Sequence, residues 1–309
     1  MAEEYEIVIA GAGIAGLTAA MTAARLGRRT LLLTGDVPGG LLLSINRIDG
    51  YPGFPEGVPG YDLCPMAQEQ AAAAGAVLAS GELQSIRDQD GNYELTASEG
   101  QYLTQTLIIA SGARLKTLGI PGEEQFKGKG VSHCASCDAP MLRNRAVAVI
   151  GGGDSALQEA LTLADHASTV TILQRATALT AQAAYQQQVT THPKISIRYH
   201  TQVEEILGNA AVTGVRMKDL ASGATSNLEV AAVFAYIGLQ PNAELLQDKL
   251  QLEASGHIPV DARMRTELKG ILAAGIVRDG AAGRAGGAAG DGATAAIAAD
   301  RYLTDLAWR

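Results

Sequence analysis

Apolar positions along the chain fall into short unbroken runs separated by longer segments of helical period. The first run, residues 7–10, passes through Gly11-Ala12-Gly13 into an Ala/Leu-rich helical pattern over 14–26, and a second run follows at 30–33. The same order returns 140 residues later: a run at 147–150, Gly151-Gly152-Gly153, a helical pattern over 155–164 and a run at 169–173. Each copy predicts strand, tight turn, helix, strand, and the repeat makes this the organising unit of the chain. Strand-like runs at 206–218 and 228–237 continue the second copy. Gly238-Leu239-Gln240-Pro241-Asn242 then reads as a crossing point, followed by a Gly/Ala-rich stretch over 272–292 and a terminal helix over 292–306.

The glycines of each copy have the spacing of a dinucleotide turn, placed between strand and helix where such a turn works. Gly11 allows the tight turn, Gly13 lets the backbone approach a pyrophosphate, and Gly16 lets helix and strand pack closely. The helix opened by Ile14 and Ala15 then points its N-terminus at phosphate charge. Gly151, Gly153 and Ala156 take these roles in the second copy, where Asp154 and Ser155 open the helix. The residue closing the second strand, an acid where it holds a ribose, is Thr34 in one copy and Gln174 in the other. Arg175 is a single handle for a phosphate. The expected fold class is α/β: two Rossmann-like three-layer nucleotide-binding domains, the second (115–239) inserted into the first (1–114 and 240–309).

Composition narrows the setting. The chain has 309 residues and a formal net charge of -8, with no basic cluster, so nucleic acid and anionic membrane surfaces are excluded as main partners. Three cysteines over this length do not make a disulfide-stapled secreted scaffold, and the expectation is a reducing, cytoplasmic compartment. The apolar stretch 7–21 is flanked by Glu3, Glu4 and Glu6, the wrong sign for a signal peptide, and no window has the length and bulk of a membrane span.

Candidate chemistry lies in Cys134-Ala135-Ser136-Cys137-Asp138, just ahead of the second nucleotide unit. Zinc would need four ligands, and only His133 and the distant Cys64 are on offer, so no metal is expected. A structural disulfide fits a reducing compartment poorly, and two inert buried thiols remain a bland reading. The spacing suits thiol exchange, in which one thiol attacks a partner disulfide and the other resolves the mixed disulfide. Asp138 could move the proton or cap a helical turn. Cys64, beside Pro65, reads as a small buried hydrophobe, and His133 as structural.

In combination these features resemble the low-molecular-weight thioredoxin reductases over nearly the whole chain. The resemblance extends to Gly39-Gly40, Tyr51-Pro52-Gly53-Phe54-Pro55, Ala110-Ser111-Gly112-Ala113, Gly119-Ile120-Pro121-Gly122-Glu123, Gly238 with Pro241-Asn242, and Ala289-Gly290-Asp291-Gly292. It implies FAD in the first domain, held around Gly11, Gly13, Ile14, Ala15, Gly16, Gly39, Gly40, Leu41, Ser111, Gly112, Gly275, Ile276 and Arg284. It implies NADPH in the second, at Gly151, Gly153, Asp154, Ser155, Ala156 and Arg175. It also implies a homodimer, with Cys137 facing flavin and Cys134 attacking a thioredoxin-like or other dithiol/disulfide protein.

Departures from the family pattern shape the functional expectation. Where the family carries three arginines for the 2'-phosphate, this chain reads Gln174-Arg175-Ala176-Thr177-Ala178-Leu179-Thr180-Ala181. Near the flavin, a family Gly-Asp appears as Gly275-Ile276, Gly-Gly-Gln-Leu as Gly39-Gly40-Leu41-Leu42, Glu-Asn as Asp49-Gly50, and Arg-Gln as Gly283-Arg284. A decayed relative would be under no demand to retain Cys134 and Cys137. The leading expectation is therefore a FAD-dependent thiol/disulfide oxidoreductase that does not use NADPH, with small and apolar replacements leaving room for a second FAD. A ferredoxin-linked enzyme, an NADPH-dependent thioredoxin reductase and a non-catalytic flavin redox sensor are the alternatives.

Overall fold

In the computed structural model, which describes residues 2–89 and 91–308, the chain divides into two compact units: Met1–Arg114 with Gln240–Arg309, and Leu115–Leu239. The first segment runs β1 (Glu3–Ala10), α1 (Ile14–Arg25), β2 (Thr30–Leu33), α2 (Gly60–Ala73), β3 (Val77–Ala79), β4 (Leu83–Gln89), β5 (Asn92–Ala97), β6 (Gly100–Ile109) and β7 (Ala113–Leu115). The inserted unit runs β8 (Val131–Ser132), α3 (Ala135–Asp138), β9 (Ala146–Ile150), α4 (Asp154–Ala164), β10 (Thr169–Leu173), α5 (Ala183–Thr191), β11 (Ile195–Arg198), β12 (Thr201–Gly208), β13 (Val212–Asp219), β14 (Thr225–Glu229) and β15 (Ala232–Ala235). The chain leaves it through β16 (Leu239–Pro241) and ends with β17 (Ile271–Ala273) and α6 (Ala285–Asp305). Where the inserted unit begins and ends, Lys116 N donates to Gly238 O (3.0 Å). No helix among the described residues is long and apolar enough to cross a membrane.

The first unit is built on a sheet in which β1 lies parallel to both β2 and β6. One edge of β6 serves two partners: Gly100–Thr104 pairs antiparallel with β5, and Leu107–Ile109 pairs parallel with β17. The apolar runs are buried on both faces, as parallel strands require. Ile7 and Ile9 face a cluster with α1 and α6, whereas Val8 and Ala10 face one that includes β4, β5 and residues 243–277. Leu17, fully buried on α1, gains about 2 kcal/mol from its removal from water.

Helix α6 begins at Ala285, seven residues before the expected start at 292. Gly286, Gly287, Gly290 and Gly292 lower helix propensity by roughly 1 kcal/mol each, which hides the helix from a reading of periodicity. Close packing overrides that cost: a Cβ on Gly292 would lie 2.1 Å from Ala15 O on α1.

The second unit has a parallel sheet of order β11-β10-β9-β15-β8 and a separate antiparallel sheet β12-β13-β14. The run at 206–218 is thus not one strand but two, turning through residues 209–211, and 228–237 splits between β14 and β15. Exposed residues Thr213, Arg216 and Asp219 interrupt the buried ones along β13, while β15 is buried throughout, the difference between a strand with one face on the core and one covered on both.

Candidate active site

The cysteine pair follows the C-terminal end of β8, an edge strand of the second unit's parallel sheet. Cys134 is the N-cap of the short turn α3, held by its N–H donating to Ser132 Oγ (3.1 Å). A disulfide joins Cys134 to Cys137, with Cα atoms 5.3 Å apart, and Cys137 N donates to Cys134 Sγ (3.3 Å). Cys137 is exposed and Cys134 partly so. Asp138 makes no capping hydrogen bond, and His133 Nδ1 lies 3.2 Å from Ala235 O, fastened to backbone. Among the described residues no cluster of His, Cys, Asp and Glu could hold a metal.

The inner side of this turn holds residues that motif reading missed. Glu159 on α4 is 8% exposed, and burial pushes its carboxyl up to about 7, opposed in part by a hydrogen bond from the Ala135 backbone. Tyr236, after β15, is also buried; its hydroxyl is pushed well above the usual tyrosine range by burial first and by Glu159 second. The available signal was positional: Glu159 falls on the apolar stripe of α4 with Ala156, Ala160 and Leu163.

Within the same unit, Gly151 (φ +133) makes the turn into α4, where a Cβ would lie 2.2 Å from Tyr236 O. Gly153 is the N-cap and brings no side chain to it, leaving the first N–H groups of α4 to a ligand. Ser155 is exposed and Ala156 buried against the strand. The Asp154 carboxylate accepts from Gln182 N (2.7 Å) and Gln182 Nε2 (3.1 Å), so it holds the start of α5. Gln174 is buried and donates to Ala178 O (2.9 Å). Arg175 is exposed; at the positions of the missing arginines Ala176 is exposed and Thr180 donates to Gly152 O (3.3 Å).

The first unit repeats the cradle. A Cβ on Gly16 would lie 1.8 Å from Gly11 O, so this glycine lets α1 sit against the turn. Gly13, the N-cap of α1, faces open space, and Gly39 N donates to Ala12 O (2.8 Å), bringing Gly40 near Gly13. Ile14 and Ala15 form the buried first turn, while Leu41 lies exposed on a 3-10 turn, Gly40–Ser44. Ser111 Oγ donates to Asn242 O (2.6 Å) and Gly112 O accepts from Asn242 N (3.0 Å), tying the returning segment down. Ile276 is half-buried, and Arg284 is the exposed N-cap of α6. Beside Ile276, Gly275 N donates to Asp291 Oδ2 (3.2 Å), and Asp291 makes a two-point contact with Arg278 (2.7 and 2.9 Å). An open, uncapped helix start between close-packed glycines fits the diphosphate of FAD. The flavin end, with Ile276 in place of a carboxylate, keeps fewer polar anchors.

Comparisons with known proteins agree with this geometry. A model of the pyridine nucleotide-disulphide oxidoreductase family matches residues 5–295. A thioredoxin reductase of Treponema pallidum is 39% identical over 99% of this chain and 99% of that one. The NADPH-dependent thioredoxin reductase 3 of Arabidopsis thaliana is 36% identical over 96% of this chain and 58% of that one. The crystal structure of thioredoxin reductase from Lactococcus lactis superposes with a TM-score of 0.94 at 37% identity, covering 98% of this chain and all of that one (100%). A ferredoxin-flavin thioredoxin reductase from Clostridium acetobutylicum is more distant, with a TM-score of 0.54 at 26% identity over 99% of this chain and 100% of that one. Fold and site define a flavin-dependent disulfide oxidoreductase. The chain belongs to the pyridine nucleotide-disulphide oxidoreductases and, within them, to the low-molecular-weight thioredoxin reductases.

Proposed function

We propose that the chain reduces the disulfide of a thioredoxin-like protein with electrons from a reduced pyridine nucleotide. The observation that carries this reading is the Gly151–Gly153 turn ahead of the uncapped α4, a phosphate site kept in the same unit as the cysteine pair. The names of the relatives point the same way, the Arabidopsis one being NADPH-dependent. This reading displaces the leading sequence-based expectation of NADPH independence, and the second FAD of that expectation has no support among these relatives. FAD held by the Gly11–Gly16 turn and Gly39-Gly40 would supply two-electron chemistry to the disulfide. In the reduced pair, Cys137 N–H is placed to stabilise a thiolate at Cys134, which attacks the partner's disulfide. Cys137 then displaces the partner as a dithiol and closes Cys134–Cys137 again. Asp138, uncapped and partly exposed beside the pair, is the group assigned to move the proton. A homodimer belongs to this reading by family likeness alone.

With Arg175 alone at the 2'-phosphate position, preference for NADPH over NADH falls about 100-fold or more relative to a site with three arginines. Anaerobic addition of NADPH or NADH is expected to bleach the flavin absorbance. Bleaching by dithiothreitol but by neither nucleotide would overturn the proposal. That result would favour a nucleotide-independent enzyme fed by ferredoxin or a protein dithiol, the reading to which Ala176 and Thr180 lend weight.

A further inference from the structure

Three polar atoms around the disulfide turn are shut away from water without a hydrogen-bond partner: Ser136 Oγ, Glu159 Oε2 and Tyr236 OH. Ser136 belongs to the turn itself, and the backbone of Ala135, the residue after Cys134, favours the charged form of both Glu159 and Tyr236. Tyr236 feels the charges of both Glu159 and Asp138, and its ring lies in one buried cluster with Ala135 of the turn and with Ala156, Leu157 and Ala160 around Glu159 on α4. Unpaired buried polar groups carry a desolvation cost that Leu at 159 and Phe at 236 would avoid, and clustered behind a redox-active pair they point to proton chemistry.

We propose that Glu159 holds a proton for the Cys134–Cys137 pair, taking it up when the disulfide is reduced and releasing it when the disulfide reforms. The inference rests on the reading of that pair as redox-active. Reduction breaks the S–S bond and adds two electrons and one proton, giving one thiol and one thiolate. The new negative charge raises the proton affinity of the carboxylate behind the turn, and Glu159 takes a second proton from water. A partner disulfide needs two electrons and two protons to become a dithiol, so the thiol and Glu159 together supply the full complement.

The surroundings allow this. Burial already brings the carboxyl to about 7, between its two states at neutral pH. The short turn α3, which carries Cys137 and Asp138 after its N-cap Cys134, packs against α4, the Tyr236 hydroxyl after β15 feels the charge of Glu159, and α5 brings the buried Tyr185 into the same core. β9 and β10 carry no ionisable side chain, and Arg198 at the end of β11 is exposed. Lys194 meets α4 at its far end, donating to Ala164 O (2.7 Å). On α4 itself, Asp154 is engaged with Gln182.

The test equilibrates the purified protein, as isolated, with reduced and oxidised dithiothreitol across neutral pH and scores Cys134 and Cys137 by alkylation and mass. Above about pH 7 the equilibrium constant for the native protein should change by up to about tenfold more per pH unit than that of Glu159→Gln, or about 30 mV for this two-electron couple. At lower pH the two plots should run parallel. Parallel plots at every pH would overturn the proposal. If Glu159→Gln fails to fold, infrared difference spectra of the native protein with isotope-labelled glutamate serve instead: a protonated-carboxyl band must grow on reduction, and its absence overturns the role of Glu159. Thiols that never exchange with the buffer would instead overturn the redox reading of the pair.

Discussion

At Glu159 the folded carboxyl binds its proton more tightly than the unfolded chain does, with a pKa of about 7 against an ordinary 4.5. Between these values the folded state carries the extra proton, so its contribution is fully present below 4.5 and is lost as pH rises through about 7. The loss amounts to about 3 kcal/mol. Glu159→Gln should therefore be the more stable protein at mildly alkaline pH and lose that advantage in acid, measured by urea unfolding followed by circular dichroism. A variant less stable than the native chain at both ends would mean that the carboxylate has a partner the structure does not reveal. Cys134 and Cys137 were legible in the sequence because two thiols three residues apart carry their chemistry in their spacing. Glu159 was legible only as an acid on an apolar stripe, since its neighbours, Ala135 and Tyr236, come from distant parts of the chain. Arg278 and Asp291 meet for the same reason, and no local pattern pairs them.

Among elements, the contact of α1 with α6 shows what glycine spacing can and cannot tell. Gly11 and Gly16 were readable because the strand, turn and helix around them are local. Gly292 works against a helix formed more than 260 residues earlier, and its place inside α6 was hidden by the Gly-rich run before it. The two glycines at 290 and 292 make opposite predictions. A Cβ at Gly290 meets nothing within 4 Å, so Gly290→Ala should stabilise the helix by about 1 kcal/mol. At Gly292 it would strike Ala15 O, so Gly292→Ala should cost about 1–3 kcal/mol or more and lower flavin content by shifting α1. Thermal unfolding and flavin absorbance read both, and equal behaviour of the two variants would refute the packing argument. The β12–β13 hairpin escaped the sequence reading although Gly208-Asn209 marks its turn, because apolar positions continue through Ala210 and Ala211 and join the two strands into one run.

Over the whole molecule, the three cysteines divide into an accessible pair and a buried third. Cys64 is 2% exposed, its Sγ donates to Gly39 O (3.6 Å), and burial pushes its thiol up. Alkylation should find no reactive thiol in the native oxidised protein, two after dithiothreitol, and three once the reduced chain is unfolded. Labelling of Cys64 in the native state would show the first unit to be looser around Gly39 than its packing implies. The repeat of the nucleotide unit was legible because each copy is local in sequence, whereas the pairing of β17 with β6 depends on the chain returning after the inserted unit. The hydrogen bond from Lys116 N to Gly238 O gives that insertion a simple polymer physics. A segment that enters and leaves its host at one point is, to the host, a long turn. Closing a loop of 125 residues costs only about 2 kcal/mol more than closing one of about ten, because the cost grows with the logarithm of length. One nucleotide fold can thus be spliced into a turn of another while the host sheet keeps its strand order.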